Sequence, residues 1–195
     1  MSGATFCGLG KKRGAVTRRK SCSKRLASVW EVSRRQLEGI EHRPRVAIVE
    51  CLQPFYVAGH WVPEMIELAG GRDVLGRKRT PSFRVTVEEV LEADPEILLI
   101  ALCGYTAAQA QDEYFAMTFP AEWNEMAAAR GLRVYALDAT SHFSRPGPRL
   151  ITGVEALAKI LHPGLAVSAE AEQAFQLLSS QTSTVLPLPG RSAFA

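Results

Sequence analysis

The sequence has no apolar run approaching the roughly 20 residues that a membrane-spanning helix needs, so no transmembrane helix is predicted. It has only four cysteines in 195 residues, Cys7, Cys22, Cys51 and Cys103. Their spacing is not that of a metal site, and a chain this long with so few does not read as a disulfide framework. Cys51 and Cys103 sit inside or just after apolar runs and read as buried thiols. No glycine-rich phosphate loop is present: Gly59, Gly70 and Gly71 match neither G-x-G-x-x-G nor the P-loop. No G-x-S-x-G elbow precedes Ser141, which weakens a hydrolytic triad of Asp138, Ser141 and His142. His60 and His142, two histidines without a nearby carboxylate or thiolate partner at metal-ligand spacing, make a poor metal site.

Acid is also missing from the first 30 residues. Residues 1–45 hold 12 Lys/Arg against three acids, or +9, while the remainder carries 11 against 17, or −6, giving the net +3 of the chain. Lys11, Lys12, Arg13 and Arg18, Arg19, Lys20 form the basic clusters. Such a segment cannot bury enough apolar surface to order itself, so disorder is expected there. It lacks the apolar stretch of a secretory signal, so the chain as written reads as cytoplasmic, or as extracytoplasmic if its start is misassigned. A transit peptide or an arm that binds nucleic acid are the other readings of an acid-poor start, and nucleic acid is the weaker.

What is present is a succession of buried strands and helices. Residues 24–40 place Leu26, Val29, Trp30, Leu37 and Ile40 on one helical stripe, with Ser23 as N-cap. Val46 to Val49 form a continuous apolar run, as in a strand covered on both faces. An aromatic loop follows, with Phe55, Tyr56, Gly59, His60 and Trp61. Pro63 then opens a short helix that Gly70 and Gly71 stop. After a polar connection, residues 83–85 read as a short strand. Thr86 and Glu89 make a capping box for the next helix, which Asp94-Pro95 ends. Residues 96–102 form a second buried strand, and Thr106 caps a helix running to about residue 117. Pro120 starts another helix, ended by Gly131, and residues 133–137 form a third strand. Helices are expected over 148–161 and 168–178. Alternating strands and helices imply an α/β three-layer sandwich around a mainly parallel sheet, a Rossmann-like arrangement.

In such a sheet the loops leaving the carboxyl ends of the strands meet on one edge, where ligands bind. Three loops converge: residues 55–61, 104–105 and 141–149. They offer Phe55, Tyr56, Trp61, Tyr105 and Phe143 as apolar surface, with His60, His142, Arg145 and Arg149 as polar contacts. That mixture suits a large, partly apolar ligand. In the competing reading Phe55 and Trp61 simply seal the sheet edge, and Arg149 lies solvated on its helix.

Three stretches, VAIVECLQPFYVAGHWVPEMIELAGG, ADPEILLIALCGY and VYALDATSHFSRPGPRLITGVEALAKILHP, resemble successive motifs of one family. It is the cobalamin-binding branch of the iron-siderophore and vitamin B12 substrate-binding proteins of ABC transporters. The resemblance covers residues 26–163. It implies two α/β lobes joined by a long backbone helix, of which residues 23–42 are the end and 43–180 the carboxy-terminal lobe. The basic segment 1–22 and a flexible tail 181–195 flank them, and the amino-terminal lobe has no counterpart. The resemblance places Gly59, His60, Trp61, Phe143, Ser144 and Arg145 at the cleft, and Glu88 at the position that docks on arginines of an ABC permease. It implies a corrinoid such as cobalamin as ligand, with haem or a ferric siderophore second, no intrinsic cofactor, and no enzymatic activity. The alternatives are an α/β enzyme using His142 and Asp138, and an interaction protein acting through the basic arm. An unpartnered backbone helix would also favour self-association.

Overall fold

The computed structural model describes residues 37–39 and 41–178. The basic segment 1–22, nearly all of the expected helix 24–40 and the tail beyond residue 178 lie outside the described residues, and so do the expectations that fall on them.

The elements in chain order are β1 (Arg45–Leu52), β2 (Phe55–Val57), α1 (Val62–Leu68), β3 (Arg72–Asp73), β4 (Phe83–Arg84), α2 (Val87–Ala93), β5 (Ile97–Ile100), α3 (Ala107–Ala116), a 3₁₀ turn (Ala121–Glu125), α4 (Ala127–Arg130), β6 (Val134–Leu137), α5 (Ala139–His142), α6 (Leu150–Leu161), α7 (Ala169–Glu172) and β7 (Phe175–Leu177). The strands form one sheet in the order β4-β2-β1-β5-β6-β7, with β3 beside the start of β1. β1, β5 and β6 are parallel, in registers that run from Val46 opposite Ile97 to Val49 opposite Ile100, and from Leu98 opposite Val134 to Ile100 opposite Ala136.

These three strands are apolar throughout because both of their faces are covered. Val46, Ile48, Ile97, Leu99 and Leu137 pack with α1, α6 and Phe143 on one face. Ala47, Val49, Leu98, Ile100, Val134 and Ala136 pack on the other with Val90 of α2, Ala110 of α3, Trp123 and α4. The three-layer α/β architecture expected from the alternation is therefore the one observed.

The sheet is more mixed than expected, because its margins are antiparallel: β2 on β1, β4 on β2, and β7 on β6. The supposed aromatic loop begins as a strand, folding back on β1 with Val57 opposite Val49 and an irregularity between Val49 and Cys51. The expected helix over 168–178 is a single turn capped by Ser168, followed by strand β7. The reason is the free edge of β6. Its backbone groups need partners, and Phe175 to Leu177 supply them while the Phe175 ring meets Tyr135 edge-on at 6.0 Å. The expected helix over 121–130 breaks at Met126, which is extended (ψ 141°) and buried. There the Asp94 carboxylate accepts the Ala127 N–H (2.8 Å) and the Pro95 carbonyl accepts the Ala128 N–H (2.9 Å), so tertiary bonds replace helical ones.

Several local signals act as the sequence implies. Pro63 lies in the first turn of α1, which Gly70 ends at φ +86°. The capping box of α2 is complete: Glu89 N–H donates to the Thr86 hydroxyl (3.2 Å), and Thr86 N–H to the Glu89 carboxylate (2.7 Å). Thr106 and Gln109 repeat that arrangement at α3.

Candidate functional site

Because β1, β5 and β6 are parallel, the segments after them reach one edge of the sheet, and hydrogen bonds tie these segments together. Past β1 and the β2 hairpin, His60 and Trp61 lead into α1. His60 adopts a positive φ of 55°, its N–H donates to the Thr80 carbonyl (2.6 Å), and its carbonyl accepts the Arg79 N–H (3.0 Å). Gly59 makes this possible, since any Cβ there would collide with the Thr80 carbonyl and the backbone of Pro81 and Ser82. Trp61 is half-buried, and its indole N–H donates to the Phe143 carbonyl (2.9 Å), which joins the first loop to the third. The His60 and Trp61 rings lie 5.5 Å apart. Past β5, Tyr105 is exposed and its carbonyl accepts the Thr140 N–H (3.1 Å), which joins the second loop to the third. Past β6, Asp138 caps the one-turn helix α5 by accepting the Ser141 N–H (3.0 Å). Ser144, Arg145 and Arg149 follow, and both arginines are exposed.

The edge thus brings together Gly59, His60, Trp61, Tyr105, Phe143, Ser144 and Arg145. Three of the proposed contact side chains are buried. Phe55 is buried in the opposite core layer, 5.9 Å from the Trp123 ring, so the structure places it in the packing of the α3 side. Its neighbour Tyr56 points the other way along β2 and is exposed. His142 and Phe143 are also buried, at 5% and 4% exposure, so their rings are packing groups. Phe143 contributes its carbonyl, and the His142 Nδ1 has no hydrogen-bond partner among the described residues. The Asp138 carboxylate is engaged by the α5 backbone, so no Asp138–His142 acid–base pair is assembled. Glu88 stands exposed in the first turn of α2, where the backbone and Thr86 hold its carboxyl below the ordinary range. Among the described residues no cluster of three or more His, Cys, Asp or Glu side chains is arranged to hold a metal, and no helix is long and apolar enough to cross a membrane.

The structure adds residues the sequence reading missed. Glu50, at the end of β1, accepts a short hydrogen bond from the Ser82 hydroxyl (2.5 Å), and burial pushes its carboxyl above the ordinary range. Cys103 is exposed and Cys51 half-buried, which corrects their reading as buried thiols. Burial of the Cys103 sulfur and the nearby Glu50 charge raise the thiol pKa, while the Ser144 hydroxyl beside it works the other way. The one signal for Glu50 in the sequence is a carboxylate closing the apolar run VAIVE.

No protein-family model matches the chain, and no curated protein matches it. Solved structures do match. An ABC transporter substrate-binding protein from Listeria monocytogenes EGD-e superposes with a TM-score of 0.62 at 21% identity, over 74% of this chain and 57% of that one. The fold is that of a periplasmic-binding-protein lobe. The periplasmic haem-binding protein BhuT, in complex with two haems, gives a TM-score of 0.58 at 26% identity over 75% of this chain and 56% of its own. The periplasmic vitamin B12-binding protein BtuF of Vibrio cholerae gives 0.56 at 22% identity, over 69% and 50%. The likeness is thus to TroA-like periplasmic binding proteins at low identity, and these neighbours are binding proteins rather than enzymes. The chain spans about half the length of the solved structures it matches.

Proposed function

We propose that this chain is the carboxy-terminal lobe of an ABC-type substrate-binding protein, and that its loop edge contacts a corrinoid such as cobalamin. The observation that carries the reading is the bond from the Trp61 indole to the Phe143 carbonyl (2.9 Å). It holds an indole ring, half-exposed, across the first and third loops and beside His60, while Tyr105 of the second loop is exposed. Rings fixed in this way give contact area at little entropic cost, and a large ring-shaped ligand is what such a surface suits. The vitamin B12-binding neighbour supports the same ligand class. Haem is the second reading. The haem-binding neighbour favours it, as do Arg145 and Arg149, which make no ion pair among the described residues and so are free to meet carboxylates.

Titration of the full chain with cyanocobalamin by calorimetry tests the proposal. Saturable binding that Trp61→Ala weakens by tenfold or more is expected, since removing a buried aromatic contact costs on the order of 2 kcal/mol or more. Equal affinity in the variant removes Trp61 from the site. Glu88 is proposed as the contact for arginines of an ABC permease. Accordingly Glu88→Ala should lower permease pull-down while leaving corrinoid affinity unchanged, and a loss of corrinoid affinity would sink that assignment.

A further inference from the structure

Glu50 lies near the carboxyl end of β1, and it interacts electrostatically with two exposed side chains, His60 and Cys103. It is half-buried, yet among the described residues no lysine, arginine or histidine forms an ion pair with it. Among the described residues its one side-chain hydrogen bond comes from Ser82. An ionised carboxylate offers about four acceptor sites, so Ser82 leaves most of them to solvent or to a ligand.

A second group repeats the pattern. The Ser144 hydroxyl is buried and has no hydrogen bond of good geometry, although it lies beside the Cys103 thiol. The Cys103 N–H donates to the Glu50 backbone carbonyl (3.3 Å), which holds the end of β1 against the segment after β5. Arg149 is the N-cap of α6 and Arg145 lies in the loop before it, both exposed.

We infer that Glu50 is a specificity-determining residue that takes a hydrogen-bond-donating side group of the ligand, a primary amide or an ammonium, and disfavours a carboxylate at that position. The inference rests on reading the edge as a ligand site. Amide N–H groups would fill the lone pairs of Glu50 that Ser82 leaves open. A carboxylate there would face a like charge across a poorly solvated gap, which is how a site rejects the wrong ligand.

The test uses two probes with the same ring and metal. Dicyanocobinamide carries amide side groups, and dicyanocobyrinic acid carries carboxylates in their place. Calorimetric affinities of the full chain for both are measured at about 0.3 M salt, where distant surface charges are screened. Glu50→Gln keeps the size of the side chain and its partner Ser82, and circular dichroism checks that the fold survives. The ratio of amide-probe to acid-probe affinity should fall about tenfold in Glu50→Gln, in the range that like-charge juxtaposition spans. A ratio unchanged in a folded Glu50→Gln, and in Glu50→Ala as a second variant, overturns the inference alone. A wild-type chain that binds neither probe overturns the corrinoid reading, and the inference with it.

Discussion

At Asp73, one oxygen of the carboxylate is satisfied and the other is not. Oδ1 accepts the Leu75 and Gly76 N–H groups at 3.0 and 2.7 Å, and Oδ2 is buried with no partner. Burial is the main cause pushing its carboxyl above the ordinary 3.8, the two backbone bonds oppose it, and the Glu67 charge adds to it. A carboxyl whose folded value is raised contributes stability that is fully present below its unfolded value and is lost as pH rises through the folded one. Asp73 therefore opposes folding at neutral pH. Asn at this position keeps an oxygen for the two N–H groups and carries no charge. Urea unfolding should find Asp73→Asn at least as stable as wild type at pH 7, with the advantage shrinking as pH falls toward 4. A variant clearly less stable at pH 7 would mean that the charge is worth more than its burial costs. Neither this residue nor Glu50 is legible in the sequence, where each is one acid after an apolar or glycine-rich stretch. What sets them apart is the depth at which the fold holds them.

Among the elements, the well-read ones are those whose signals are local. The capping box at Thr86 needs only a hydroxyl, a carboxylate and three residues of spacing. Thr86→Ala should cost about 1 kcal/mol in chemical denaturation, as cap removals do. No measurable change would mean that the tertiary packing of Val90 alone fixes α2. The misread elements are those in which a distant partner wins. Residues 173–178 have the composition of a helix, but β6 offers an open backbone edge that they fill. Residues 121–130 carry helical formers, but Asp94 and Pro95 take the N–H groups of Ala127 and Ala128. Phe55 reads as a loop aromatic, yet pairing of β2 with β1 turns it toward Trp123, which stacks on Phe119 at 4.3 Å. Propensity is a weak prior, and these are places where backbone pairing and burial override it.

Taken as a whole molecule, the described residues form a sheet that is buried at its centre and thin at its margins. β1, β5 and β6 carry fully buried Ile, Leu and Val side chains on both faces, while β4 has two residues and β7 three. Stability should follow that gradient. In native-state hydrogen exchange the amides of β1, β5 and β6 should be the slowest and those of β4 and β7 among the faster ones. Equal protection of the margins and the centre would contradict the gradient. The loop edge inherits its precision from the slow strands, because Glu50 lies near the carboxyl end of β1 and the segments carrying Cys103 and Asp138 follow β5 and β6. The sequence by itself determined the α/β class, the three central strands, the edge at which their loops meet and the helix caps. Each of these follows from apolar periodicity or from contacts a few residues apart. Only the tertiary structure decided that the margins run antiparallel, that Phe55 and His142 are packing groups, and that Glu50 is half-buried against the Ser82 hydroxyl. Those outcomes depend on which distant segment supplies each hydrogen bond and how much water it displaces, and such contacts arise only when the chain closes on itself.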